Sequence, residues 1–249
     1  MTSADQAFAN LSLDSWHYER WFLPPADQSI HPIVNEIEQH ISSRHLELHP
    51  FFSLAESSKL ALELWVCQEL VMTNAFSQIV LAAASSIVNV HLRAMLSEVA
   101  FGEHGVFRNG AARRAHPWLL NQLRESMGIA MDAVKPAGPT LRFIRRLVEA
   151  SAKPLSGVAA IGVGNERLII PEYTAIKKCF AKCAPIVNYD EFLDANLSED
   201  VGHSQLCYEL ASAMIAMGAS VEEYRKAAIA SVDSRIAYFD ELLLLASGK

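Results

Sequence analysis

The sequence predicts a single all-α domain, and three observations carry that expectation. Ala, Leu, Ile, Val and Met recur at helical spacing along most of the 249 residues. The 11 glycines and 10 prolines fall mostly between those periodic segments. Hydrophobic residues make up 51% of the chain and charged residues 20%, which supplies one sizeable core and argues against a disordered or coiled-coil chain. No repeat, low-complexity tract or linker divides the chain. Residues 26–249 are therefore expected to form one helical domain behind an N-terminal arm, residues 1–25, that ends at Leu23-Pro24-Pro25.

An amphipathic helix is expected over about residues 30–46, where Ile33, Ile37 and Ile41 repeat every four residues, and His49-Pro50 closes it. Ser57-Ser58 offers a cap to a long helix over residues 59–86, on which Trp65, Glu69, Met72 and Phe76 follow one face. A second helix is expected over residues 87–100, then a polar loop over 102–114. His116-Pro117 opens the helix over 118–127, proline being at home in a first helical turn. Pro136, Gly138 and Pro139 break the chain before a helix over 141–151. Pro154 starts another that weakens at Gly162, Gly164 and Asn165, which puts Glu166 at or near a helix end, and Pro171 restarts the helix through Phe180. The last two helices, over roughly 190–217 and 221–246, are divided by Gly218, with Ser220 as a cap.

With 28 acidic against 21 basic side chains, the formal charge of -7 gives no net attraction for polyanions, so neither nucleic acid nor an anionic membrane is expected as a partner. Cysteines 67, 179, 183 and 207 form neither a disulfide framework nor a paired zinc set, which suits a reducing cytoplasm. The N-terminus shows no basic stretch followed by an apolar one, and the apolar run over residues 79–90 is broken by Ser85, Ser86 and Asn89 and too short for a bilayer.

The most informative stretch for chemistry lies on the late helix. Asn196, Asp200, His203 and Cys207 are spaced four, three and four apart and share one face. An Asp and a His three residues apart can reach one metal ion, as in carboxylate and imidazole sites inside bundles; the same spacing also describes an exposed polar face. A second cluster is Glu98, Glu103 and His104 followed by His116, with Glu98 two turns beyond His91 on the same face; residues at a helix end and loop also fit a solvated surface. Glu166 sits in the Gly162-Val-Gly-Asn-Glu166-Arg167 break, where it turns inward or pairs with Arg167 at the surface. Glu69 has apolar neighbours on its face and either finds a buried partner or leans out at the edge of the stripe. Cys179 and Cys183 lack two further ligands for zinc. No nucleophile elbow, phosphate loop or dinucleotide fingerprint is present.

Read in order, these segments resemble the heme-oxygenase-like superfamily, which includes pyrroloquinoline-quinone synthase, TenA-like thiaminases and the chlamydial protein associating with death domains. The likeness begins with His49-Pro-Phe-Phe52, Ser57-Ser-Lys-Leu60 and Trp65-Val-Cys-Gln68. It continues through Leu96-Ser-Glu98, His116-Pro-Trp-Leu-Leu120 and Ser126-Met-Gly-Ile129. Gly164-Asn-Glu166 before Asn196-xxx-Asp200-xx-His203 looks like the E…HxxxDxxH arrangement of the iron-dependent oxidases and oxygenases of that superfamily. The resemblance implies a heme-oxygenase-like helical bundle and a site for one or two iron ions that activates O2 to oxidise a small organic metabolite. Carried over residue by residue, the metal ligands are Glu98, His116 or His104, Glu166, Asp200 and His203. Asn196 stands where the family has a His, and Asn is the poorer iron ligand. The substrate pocket is expected at Trp65, Glu69, Met72, Phe76 and Asn196.

Two other implications stay open beside it. One is a metal-free enzyme similar to TenA or the quinone synthase, for which Cys207 and Glu209 lie on the right element. The other is a non-catalytic small-molecule-binding member with a degenerate metal site, which Asn196 favours. The apolar composition also allows a homodimer.

Overall fold

Local capping chemistry sets most of the helix ends. In the computed structural model, which describes residues 30–104, 107–108, 111–112 and 115–248, helix α1 (His31–Arg44) stops at His45, a residue in the left-handed region with φ of 47°. The expected arm, residues 1–25, lies outside the described residues. After a 3-10 turn, Leu46–Leu48, His49 acts as a cap: its Nδ1 accepts the Phe51 N–H and opens α2 (Pro50–Ala55). The Ser58 hydroxyl accepts the Ala61 N–H at the start of α3 (Lys59–Ser86), as the serine pair predicts.

Helix α4 (Val90–His104) begins later than expected because Asn89 Oδ1 accepts the N–H groups of His91 and Leu92. It also runs a full turn past Ala100. In place of a wholly irregular loop, strands β1 (Phe107–Arg108) and β2 (Ala111–Ala112) pair antiparallel. Helix α5 (His116–Ser126) carries Pro117 in its first turn, and α6 (Gly138–Ser151) likewise takes Pro139 into its first turn, where a missing N–H forfeits nothing.

The expected break at Gly162 does not occur. Helix α7 (Pro154–Ile161) passes through a π-helical turn, Gly162–Arg167, directly into α8 (Leu168–Cys183). Pro171 lies inside α8 and has no N–H for the Arg167 carbonyl, so a wider turn just upstream forfeits one bond fewer. Helices α9 (Asp190–Ala216) and α10 (Val221–Ala246) match the expected spans, and the Ser220 hydroxyl accepts the Glu223 N–H.

Helix α3 is the central element and packs on α4, α5 and α6; α10 packs on α6 and α7, and the π turn is held against both α9 and α10. By length and composition α3 could cross a bilayer, but 67% of its most apolar window is buried in the bundle, as befits a core helix.

At the heart of this core lies an ion cluster. Arg235 on α10, fully buried, donates through Nε and Nη2 to Glu172 Oε2 at 2.8 and 2.6 Å, and its Nη2 stands 3.6 Å from Glu69 Oε2. Trp65 Nε1 donates to Glu172 Oε1 at 3.1 Å and the Tyr173 hydroxyl to Glu69 Oε1 at 2.9 Å. The guanidinium also lies over the Phe143 ring, 5.0 Å from its centroid. Burial raises the Glu172 carboxyl above the usual range, and Arg235 opposes that shift. One cation thus serves two carboxyls and ties α3, α8 and α10 together.

Replacing Arg235 with Leu strands both carboxyls and is expected to cost about 3 to 5 kcal/mol in chemical denaturation. A carboxyl raised above its unfolded pKa stabilises the fold below the ordinary carboxylate range and loses that contribution as pH rises. The deficit of Arg235→Leu is therefore expected to be smaller at pH 5 than at pH 8.

Candidate metal centre

The π turn determines where Glu166 goes. A Cβ on Gly162 would lie 2.2 Å from Cys207 Cβ on α9, and one on Gly164 would lie 2.5 Å from Ser231 Cβ on α10. Both glycines are thus needed for the backbone to approach the two helices. Glu166 is four residues beyond Gly162, and His203 four residues before Cys207, so the turn and α9 run antiparallel with both pairs in register. His203 Nδ1 is accordingly 3.4 Å from Glu166 Oε2.

The extra turn of α4 completes the group. Leu92, Leu96 and Val99 form its buried stripe, and the next position on that stripe is Glu103, which is 4% exposed. One ligand atom from each of Glu103, Glu166 and His203 lies within 4.8 Å of the other two. Behind Glu103, the buried His116 at the start of α5 places Nδ1 3.1 Å from Oε1, a geometry in which the ring N–H donates to the carboxylate.

Glu166 is 0% exposed, yet neither of its carboxylate oxygens has a hydrogen-bond partner among the described residues. A buried carboxylate without hydrogen bonds is costly unless a cation faces it. Arg167 does not serve, because it turns away to pair with Glu38 at 2.8 Å. Two carboxylates and an imidazole, backed by a second imidazole, are a donor set that suits a divalent transition metal.

No protein-family model matches the chain, and no curated protein matches it by sequence. Solved structures do. A CADD-like protein of unknown function from Nostoc punctiforme superposes with a TM-score of 0.71 at 18% identity, over 88% of this chain and 98% of that one. A TenA homolog from Pseudomonas syringae pv. tomato matches with a TM-score of 0.66 at 10% identity, over 90% and 96%. A domain of unknown function with a heme oxygenase-like fold from Shewanella denitrificans matches with a TM-score of 0.66 at 16% identity, over 86% and 92%. The chain has the heme-oxygenase-like fold.

Within this heme-oxygenase-like bundle the expected site residues divide into three groups. Glu166 and His203 meet as ligand atoms, and His116 stands behind Glu103. Glu98 and His104 do not join them. Glu98 shares the face of His91 as its spacing requires, but that face is exposed. His104 is also exposed, and its Nδ1 bonds the Ala100 carbonyl at 2.8 Å. The carboxylate of the first half is Glu103, legible as the polar member of an otherwise apolar stripe. The side chain of Asp200 lies outside the described residues. Asn196 is buried and donates to its own helix at Phe192 O, 2.7 Å away.

The expected pocket at Trp65, Glu69, Met72 and Phe76 is packed core: all four are buried, and Trp65 and Glu69 bind the Arg235 cluster. Glu172 and Arg235, which that cluster needs, lie far along the sequence and no local spacing marks them. Cys207 fills the space against Gly162, and burial, with Glu166 nearby, pushes its thiol far above the usual range. Glu209 is exposed and accepts from Gln205, so the Cys207 and Glu209 pair of the metal-free expectation is not assembled.

Glu166→Gln removes the charge that lacks a hydrogen bond. At pH 8, where an imidazole is ordinarily neutral, the variant is expected to be more stable than the metal-free parent by ~1–3 kcal/mol in urea denaturation. Addition of a divalent cation is expected to raise the unfolding temperature of the parent and not of the variant.

Proposed function

We propose that the protein is an iron-dependent oxidase or oxygenase that uses O2 to oxidise a small organic metabolite inside the bundle. The observation that carries this reading is the Glu166 carboxylate, fully buried, without a hydrogen bond among the described residues, and gathered with Glu103 and His203. Glu103, Glu166 and His203 would hold the ion. Bound there, ferrous iron would supply the capacity to bind and reduce O2.

The chain's own residues prepare that site. The π turn carries Glu166 toward α9, and its two carboxylate oxygens are without hydrogen bonds among the described residues. His116 fixes the orientation of Glu103 through Nδ1, as outer partners of metal ligands do. Glu103 and Glu166 are buried, and burial strengthens charge interactions between them and a cation. Asn196 turns its amide back to Phe192 O, which supports one firmly held ion in preference to two.

Anaerobic loading with ferrous iron followed by elemental analysis is expected to give about one iron per chain. Glu103→Ala, Glu166→Ala and His203→Ala are each expected to lose it, and the loaded parent to consume O2. Iron in the parent at the level of His203→Ala would overturn the reading, and tight iron binding without O2 uptake would reduce it to a metal-binding protein.

A further inference from the structure

Arg167 closes the π turn and follows Glu166 directly. An arginine keeps its charge at all ordinary pH, so a permanent cation stands one peptide away from that buried carboxylate. It would be the natural partner for Glu166, as Arg235 is for Glu172. Helix α1 takes it instead. Glu38 accepts from Arg167 Nε at 3.0 and 3.2 Å and from its Nη2 at 2.8 Å, the forked geometry in which a guanidinium and a carboxylate pair most firmly. The Tyr208 hydroxyl on α9 donates to the same carboxylate at 2.9 Å. Burial, and then the Glu38 charge, hold that hydroxyl above its usual range, so it remains a donor.

This network lies on the seam that forms the metal centre. Arg167 is next to Glu166, and Tyr208 is next to Cys207, which packs on Gly162. Glu38 therefore joins the end of the π turn to α9 beside the contacts that set their register. Glu38, Arg167 and Tyr208 are all half-buried, where charges are screened less than in open water. Neighbouring side chains carry their charges within roughly 10 Å of each other, and at that range an unpaired guanidinium lowers the affinity for a divalent ion by about tenfold. Paired with Glu38, the guanidinium exerts little of that field.

Resting on the iron-dependent reading above, we infer that Glu38 is a positioning residue of the metal centre, acting through Arg167: it cancels the one cationic side chain of the π turn and so leaves the Glu166 carboxylate to the metal. The pairing is an electrostatic guard, and its contribution depends on the charge of Arg167. Without that charge the site has no need of Glu38. A purely structural clamp has the opposite dependence, since removal of either partner opens it.

The test is a double-mutant cycle read in two ways. Co2+, an air-stable stand-in for ferrous iron, is titrated into chelator-treated protein and followed by its visible absorption. Glu38→Gln keeps an acceptor for Arg167 and Tyr208 but loses the charge, and is expected to weaken Co2+ binding about tenfold. Arg167→Gln and the Glu38→Gln/Arg167→Gln double variant are expected to bind at least as tightly as the parent. Equal loss in Glu38→Gln and in the double variant, or no loss in Glu38→Gln, would overturn the guard. The second reading needs no metal. In urea denaturation of the metal-free protein, the gain in midpoint from Glu166→Gln is expected to shrink by about half in the Glu38→Gln background, where the freed Arg167 charge offsets Glu166. The gain is expected to return in the double background. A gain unchanged by Glu38→Gln would overturn the guard even where Co2+ binds. A halved gain in a parent that binds no Co2+ would keep the guard on Glu166 and overturn the iron reading.

Discussion

The close approach of the π turn to its two neighbours is the constraint on which the site depends. With Gly162 against Cys207 and Gly164 against Ser231, the backbone of the turn is clamped between α9 and α10 at a distance no side chain would permit. Four residues on from Gly162, Glu166 lies on nearly the same face of the turn. The carboxylate therefore faces His203 because Gly162 faces Cys207. Packing and chemistry in this region are a single geometric condition.

Among the described residues the buried carboxylates fall into two groups, and the contrast between them gives the site its meaning. Glu69 and Glu172 are provided with a cation by the chain itself, Arg235, together with hydrogen bonds from Trp65 and Tyr173. Among the described residues, Glu103 and Glu166 gather with the imidazoles of His116 and His203, and Glu166 has no hydrogen bond. The first arrangement is an ion cluster with a cation of its own that locks three helices. The second has acceptor atoms in excess of donors, which is the electrostatic condition for a metal ion. Both clusters place carboxylates on apolar stripes, at Glu69 on α3 and Glu103 on α4, so residue type and burial alone would not distinguish them.

Much of the helical architecture was legible because its signals are local. Ser58 and Ser220 cap α3 and α10, the four-residue isoleucine repeat describes α1, and proline marks the openings of α5 and α7. Departures occur where a residue has two local uses. His49-Pro50 reads as a helix end and acts as a helix start, and Pro171 reads as a restart although the π turn upstream lets the helix continue. Glu98 is the carboxylate that the resemblance implies, on a helix expected to end at Ala100. One further turn leaves Glu98 in solvent and carries Glu103 into the core.

By itself the sequence determined an all-α chain, the spans of its long helices, the shared face of Asn196 and His203, and the candidacy of His116, Glu166 and His203. These follow from periodicity, capping and spacing, which act over a few residues at a time. Only the tertiary structure decided that Glu166 points at α9, that Glu103 completes the group, and that Trp65 and Glu69 belong to the Arg235 cluster and line no pocket. Those facts depend on partners 37 to 166 residues apart in the chain, brought together by helix packing, and no local pattern encodes which distant groups meet.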